Sequence, residues 1–269
     1  MQLDSTVVGL GRAVVAAALA LGVLIWRREP IPPRHLWSRI GIVAAGVVVG
    51  FPLFSAVALR HLSAAHSAVI VGLLPAATAV MAVLRTHERP SPGFWLASVA
   101  GLAAVLLFAS AEGAGMPQVA DGLVLVAVVL GALGYAEGGA LAREIGGWRV
   151  ICWALIAAVP FILPVVAAAA ARSGIAAGPA AWVAFAYVSV ISMFLGFFAW
   201  YRGLAAGGVA RIAQLQLAQP ILTLMWSAIL VREHVGAITV AAAVLVLASV
   251  AMTQRARVFR ATPGISSAD

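Results

Sequence analysis

Long apolar stretches alternate with short polar joints along the whole chain. Nine stretches approach or exceed the roughly 20 helical residues needed to cross a bilayer core. They are 7–26, 40–59, 64–84, 94–111, 122–142, 150–171, 181–201, 212–231 and 237–252. Open sheet edges cannot be satisfied in lipid, so each stretch is expected to be a helix. Pro30, Pro32 and Pro33 punctuate the first joint, and Pro90 and Pro92 another, as turns do.

The polar joints are not equivalent. Arg27, Arg28, Arg34, Arg39, Arg85, Arg89, Arg143, Arg149, Arg202, Arg211, Arg255, Arg257 and Arg260 fall in every second joint. The alternate joints hold only Arg60, Arg172 and Arg232. The positive-inside rule makes the rich side cytoplasmic, with the N-terminus outside and the C-terminus inside. The first stretch has Asp4 before it and arginines after it, the reverse of a secretory signal.

Composition agrees with lipid as the solvent. Of 269 residues, 64% are hydrophobic and 10% charged, against about 25% charged in soluble domains. The net charge of +8 resides wholly on arginine. These arginines form no dense patch, so a nucleic-acid partner is not expected. A single cysteine, Cys152, excludes an internal disulfide and a cysteine metal cluster.

The chain also contains a faint copy of itself. The run from Leu59 to Ala65 resembles the run from Tyr201 to Gly207; after a short slip, Pro75, Thr78 and Glu88 match Pro220, Thr223 and Glu233. Stretches three and four thus correspond to eight and nine, and one and two to six and seven. The fifth has no partner. Units of five helices are inverted relative to one another, as in many secondary transporters. Ten helices are then expected, and the first helix of the first unit, the counterpart of the fifth stretch, is read as absent. The units are 1–114, with four helices, and 115–260, with five; 261–269 is expected to be a disordered cytoplasmic tail.

The segments ALRHLSAAHSAVIVGLLPAATAVMAVLRTHERPS and AWYRGLAAGGVARIAQLQLAQPILTLMWSAILVREH carry a small-residue helix start, a mid-helix proline and a glutamate in the following turn. In this the chain resembles the drug/metabolite transporter superfamily, in its EamA-type ten-helix branch. The resemblance implies an all-α polytopic membrane helix bundle of two inverted repeats, the first incomplete. It implies a carrier of the bacterial inner membrane that exports small metabolites such as amino acids or related compounds, or toxic compounds, with no cofactor.

Ionisable and amide groups inside spans are the candidate working residues. Glu137, in the fifth stretch, is a candidate proton-coupling carboxylate; an interfacial, hydrogen-bonded glutamate is the plainer reading. Arg12 is a candidate anchor for a substrate carboxylate, although its place near the outer end also suits a snorkelling arginine. Gln216, Gln219, Thr223 and Ser227 fall three or four apart, on one face of an α-helix, with Trp226 beside them. That face is expected to line a polar cavity or to bond neighbouring helices. Gln219 is the deepest of the set. Pro75 and Pro220 are candidate kinks in gating helices. Tyr135, Phe197, Phe198, Trp200 and Tyr201 are candidates for an inner mouth, with interfacial anchoring the usual role for Trp200 and Tyr201. Glu88 and Glu233 read as capping groups of short turns.

The expected partners are a small-molecule substrate and the lipid bilayer; a homodimer stays open. The scattered histidines His35, His61, His66, His87 and His234 make no catalytic or metal-binding set, and no phosphate-binding GxxxxGKS loop occurs. A transporter without enzymatic activity follows. An incomplete, inactive carrier and a membrane-embedded enzyme are the alternatives.

Overall fold

The computed structural model describes residues 4–62, 67, 70–111, 118–174, 176–219, 222 and 237–260. It is a helix bundle. α1 is Ser5–Trp26, α2 Arg34–Ala58, α3 Leu74–Thr86, α4 Pro92–Ala111 and α5 Asp121–Ile145. α6 is Gly147–Ser173, α7 Pro179–Gly207, α8 Val209–Ala213 and α9 Ala237–Arg255. Among the described residues, α1, α2, α5, α6 and α7 are long and apolar enough to cross a membrane. Leu96, Phe161 and Val183 are at least 70% exposed on the outer surface. Such apolar exteriors belong against acyl chains.

α5 is the hub, packing on α2, α3, α6, α7 and α8. Its glycines explain how it holds so many neighbours. A Cβ at Gly134 would lie 2.6 Å from Val47 Cγ2 and 3.2 Å from the Val47 nitrogen. Gly138 likewise makes room for the ring of Tyr201. With no hydrophobic drive between helices in lipid, close backbone approach supplies the packing energy. α1 packs along α6 and α7, and α4 pairs with α9. Cys152 is buried in the main core.

α2 and α7 are not plain α-helices. Each passes through a π-helical stretch, Ala44–Gly50 in α2 and Val188–Leu195 in α7. The Phe51 N–H bonds the Gly46 carbonyl, and the Gly196 N–H bonds the Ile191 carbonyl, each five residues back. These are the second and seventh apolar stretches, which the internal repeat pairs, and the π-turns fall at matching places in the two copies. Pro52, just past the first π-stretch, lacks an N–H to offer the preceding turn. Phe197 stands at the corresponding place in the second copy, so proline is not the shared cause. Wide turns of this kind concentrate at functional sites.

The arginine-rich joints meet at one end of the bundle. Arg149 grips Glu29 through Nε and Nη2 at 2.7 and 2.9 Å, and Arg211 donates to the Ala256 carbonyl at 2.7 Å. Glu88–Pro90 pairs antiparallel with Val258–Arg260, forming β1 and β2. This small sheet has no signal in the helical periodicity. His87, left-handed at φ 52°, ends α3 and turns the chain into it. The sparse side is brought together too: Arg60 donates to Thr6 at 3.1 Å. Asp4 caps α1 there, accepting from the Thr6 and Val7 nitrogens. Those backbone bonds hold its carboxyl below the usual carboxylate range.

Pro75 departs from the mid-helix kink expected of it. The chain turns at 72–73 and α3 starts afresh, placing Pro75 in the first helical turn. An N–H there would lack an intrahelical partner anyway. The proline therefore breaks the stretch instead of bending a continuous helix. Two other prolines, Pro160 and Pro164, do lie inside a helix, α6.

Candidate functional site

A cavity of about 180 Å³ lies between α1, α2, α5 and α7. Val47 comes from the first π-stretch, and Ser192 and Met193 from the second. Phe51 and Phe197, just beyond these stretches, add aromatic wall. Both repeat units thus direct their widened turns at the same space. Arg12 from α1 and Tyr135 from α5 supply its main polar groups.

Arg12 thus lines the cavity from α1. Its Nε donates to the Gly9 carbonyl at 3.2 Å, which fixes the side chain along its own helix. No carboxylate pairs with its guanidinium among the described residues. Tyr135 lies within electrostatic reach of Arg12 and shares a side-chain hydrogen bond with Gln216. The Trp200 ring meets that of Tyr135 edge-on, centroids 5.6 Å apart. The Gln216 Oε1 and Trp200 Nε1 atoms are buried with no hydrogen-bond partner among the described residues. Buried polar atoms in that state cost about 1–3 kcal/mol each; both residues neighbour Tyr135, but neither is among the residues that line the cavity. The arrangement suits a small molecule with an anionic group and an apolar body.

The glutamine stripe takes a different form from its expected α-helical one. Gln214–Ala218 is a 3₁₀ segment, in which residues three apart eclipse. Gln214, which the stripe did not include, is buried and donates through Nε2 to the Pro75 carbonyl at 3.1 Å. That bond ties the two repeat units together, and an α-helical wheel did not point to it. Gln216 is half-buried and Gln219 exposed on the bundle. Thr223, Trp226, Ser227 and Pro220 lie outside the described residues.

Glu137 lies apart from the cavity lining, 2% exposed in α5. Arg85 of α3 donates to its Oε2 through Nε at 3.0 Å and Nη2 at 2.7 Å. Arg39 of α2 donates to Oε1, and also to Glu144. Glu137 thus clasps three helices near the arginine-rich end. Glu88 is wholly buried and does the same for other elements. It accepts from Arg143 at 2.7 Å and from the Val209 and Ala210 nitrogens at 3.0 and 2.9 Å. It caps α8, whose approach turns at Gly208 with φ 89°. The capping expectation for Glu88 is met; Glu233 lies outside the described residues.

Of the aromatic candidates, Tyr135 and Phe197 line the cavity. Tyr201 is buried and donates to the Gly134 carbonyl at 3.3 Å, so it is no interfacial anchor. It fills the space left by Gly138.

Comparison with known proteins converges on this architecture. The model of the EamA-like transporter family matches residues 2–110 and 118–255. A Bacillus subtilis (strain 168) protein described as uncharacterized transporter YdeK is 44% identical over 244 residues, covering 91% of this chain and 85% of the relative. A second from the same organism, uncharacterized transporter YcbK, is 26% identical over 254 residues, covering 89% and 80%. A solved crystal structure superposes with a TM-score of 0.74 at 16% identity, covering 93% of this chain and 89% of the other; this likeness concerns the fold alone. The chain, a multi-pass helical membrane protein, belongs to the EamA-like transporter family.

Proposed function

We propose that this protein is a secondary-active exporter of small carboxylate metabolites, amino acids or related compounds, across the bacterial inner membrane. The reading rests on one observation above all: an arginine with no carboxylate partner among the described residues faces an aromatic cavity between two π-helical turns. Arg12 would take the substrate carboxylate in a charge-assisted pair. Tyr135 and Gln216 would orient the polar remainder, and Phe51 and Phe197 would cover the apolar part. A cavity of about 180 Å³ favours substrates below drug size, whose pockets span roughly 300–1,000 Å³.

The arginine-rich end is assigned to the cytoplasm from its charge bias, and the export direction from the family resemblance. Alternating access would rock the two units about the cavity. Glu137 would act in that motion as a releasable latch. A proton on its carboxylate would cancel the attraction of Arg39 and Arg85 and free the inner ends of α2 and α3.

The test is transport in proteoliposomes under an imposed pH gradient, loaded with a mixed pool of amino acids and small carboxylic metabolites and followed by mass spectrometry. Selective depletion of carboxylates supports the reading. Depletion confined to neutral or cationic compounds overturns it.

A further inference from the structure

A second cavity, of about 590 Å³, opens at the arginine-rich end between α1, α6 and α7. Trp26, Arg27, Trp148, Phe198 and Arg202 form most of its wall, and no carboxylate is among the described residues that line it. The Arg27 guanidinium carbon sits 5.3 Å from the Trp26 ring centroid and 5.9 Å from that of Trp148. The guanidinium is held by aromatic faces and not by an acid. Neither Arg27 nor Arg202 makes an ion pair among the described residues. Glu29, whose carboxyl feels the Arg27 charge, already receives two nitrogens of Arg149. Arg39, Arg85 and Arg143 at the same end are likewise engaged by Glu137, Glu144 and Glu88. Two cations thus stay available on one cleft, whereas Arg39, Arg85, Arg143 and Arg149 are paired with acids.

The cleft also has an apolar side. Val23, Leu195 and Phe198 belong to its lining; Leu195 is 45% exposed and Trp26 77%. Arginines at the helix ends, tryptophans beside them and aliphatic wall alongside match the cross-section of a phospholipid. Headgroup phosphate meets guanidinium, and acyl chain meets aliphatic side chains.

We propose that this cleft binds the phosphate of an anionic phospholipid headgroup in the membrane leaflet on the arginine-rich side. The proposal rests on the membrane-spanning architecture and is independent of the substrate carried through the Arg12 cavity. A soluble phosphate shares the charge chemistry, but it has no use for the aliphatic wall.

Native mass spectrometry of the purified protein with phosphatidylglycerol or phosphatidylcholine tests this directly. Phosphatidylglycerol is expected to be retained in preference, and the double variant Arg27→Gln/Arg202→Gln to lose at least about tenfold in occupancy. Arg27→Lys/Arg202→Lys keeps the charges and is expected to keep most of the lipid. Inorganic phosphate at 10 mM, supplied as a competitor, is expected to leave occupancy unchanged. Equal retention by the Gln variant would overturn the proposal. So would equal loss by the Lys and Gln variants, which would indicate damaged packing, and so would displacement by inorganic phosphate, which would make the cleft a soluble-anion site. Lipid occupancy is read without transport, so its failure leaves the proposed substrate cavity untouched.

Discussion

Two polar regions of this bundle are built on opposite principles. At the arginine-rich end, buried carboxylates are spoken for: Glu137 by Arg39 and Arg85, Glu88 by Arg143 and two backbone N–H groups. In the cavity between the π-turns, Arg12 has no acid among the described residues, and next to the cavity residue Tyr135 the buried Gln216 Oε1 has no donor among them. A satisfied network fixes helices in place. An unsatisfied one keeps its binding capacity for something that arrives. The contrast separates the residues that hold the bundle from those that we propose handle its cargo.

Substitutions at the two regions should therefore fail in different ways. Glu88→Ala is expected to have the largest effect, because it strands two buried N–H groups and Arg143 at once. Each buried N–H left unmade costs about 1–3 kcal/mol and a lost charged partner more. Thermal melting in detergent should show a loss of roughly 3–5 kcal/mol, or no monodisperse protein. Glu137→Gln comes next, at about 1–3 kcal/mol, because its arginines are 27% and 42% exposed and can turn to water. The same variant should flatten the pH response of transport, and an unchanged response would remove Glu137 from the coupling.

Arg12→Gln should leave melting unchanged and weaken carboxylate transport about 10- to 100-fold, the scale of one or two charge-assisted hydrogen bonds. A melting shift as large as that of Glu137→Gln would dissolve the distinction drawn above. Tyr135→Phe, which removes one hydroxyl bonded to Gln216, should cost a few-fold in apparent affinity, about 1 kcal/mol. The smallest effect is at Glu29. Arg149 holds its carboxyl below the usual range. Its stabilising contribution is thus complete above the unfolded value near 4.3 and is lost as pH falls through the lower folded value. Melting followed between about pH 6 and pH 3 should decline less in Glu29→Gln than in the parent.

The order of the helices and the gathering of the arginine-rich joints were legible from the sequence because they follow from residue type and spacing alone. The arginine-rich joints do come together, through Arg149–Glu29, Arg211–Ala256 and the β1–β2 pair. The internal repeat surfaces as matched π-turns. Facing was harder to read. Arg12 looked shallow by its distance along α1, but depth along a helix does not say which neighbour the residue faces. Packing of α1 on α6 and α7 turns it inward. The glutamine stripe was drawn on an α-helical wheel that omitted Gln214, the glutamine that is buried in the 3₁₀ segment Gln214–Ala218. The partners of Glu137 come from helices 98 and 52 residues away, a separation that no local pattern encodes.

The most direct test of the cavity assignment takes the carboxylate best transported in the proteoliposome pool and its neutral amide. Both are compared on the parent protein, Arg12→Gln and Arg12→Lys. The account predicts that the parent prefers the acid, that Lys retains part of that preference, and that Gln handles acid and amide alike with unchanged melting. An Arg12→Gln protein that still prefers the acid as strongly as the parent would contradict it.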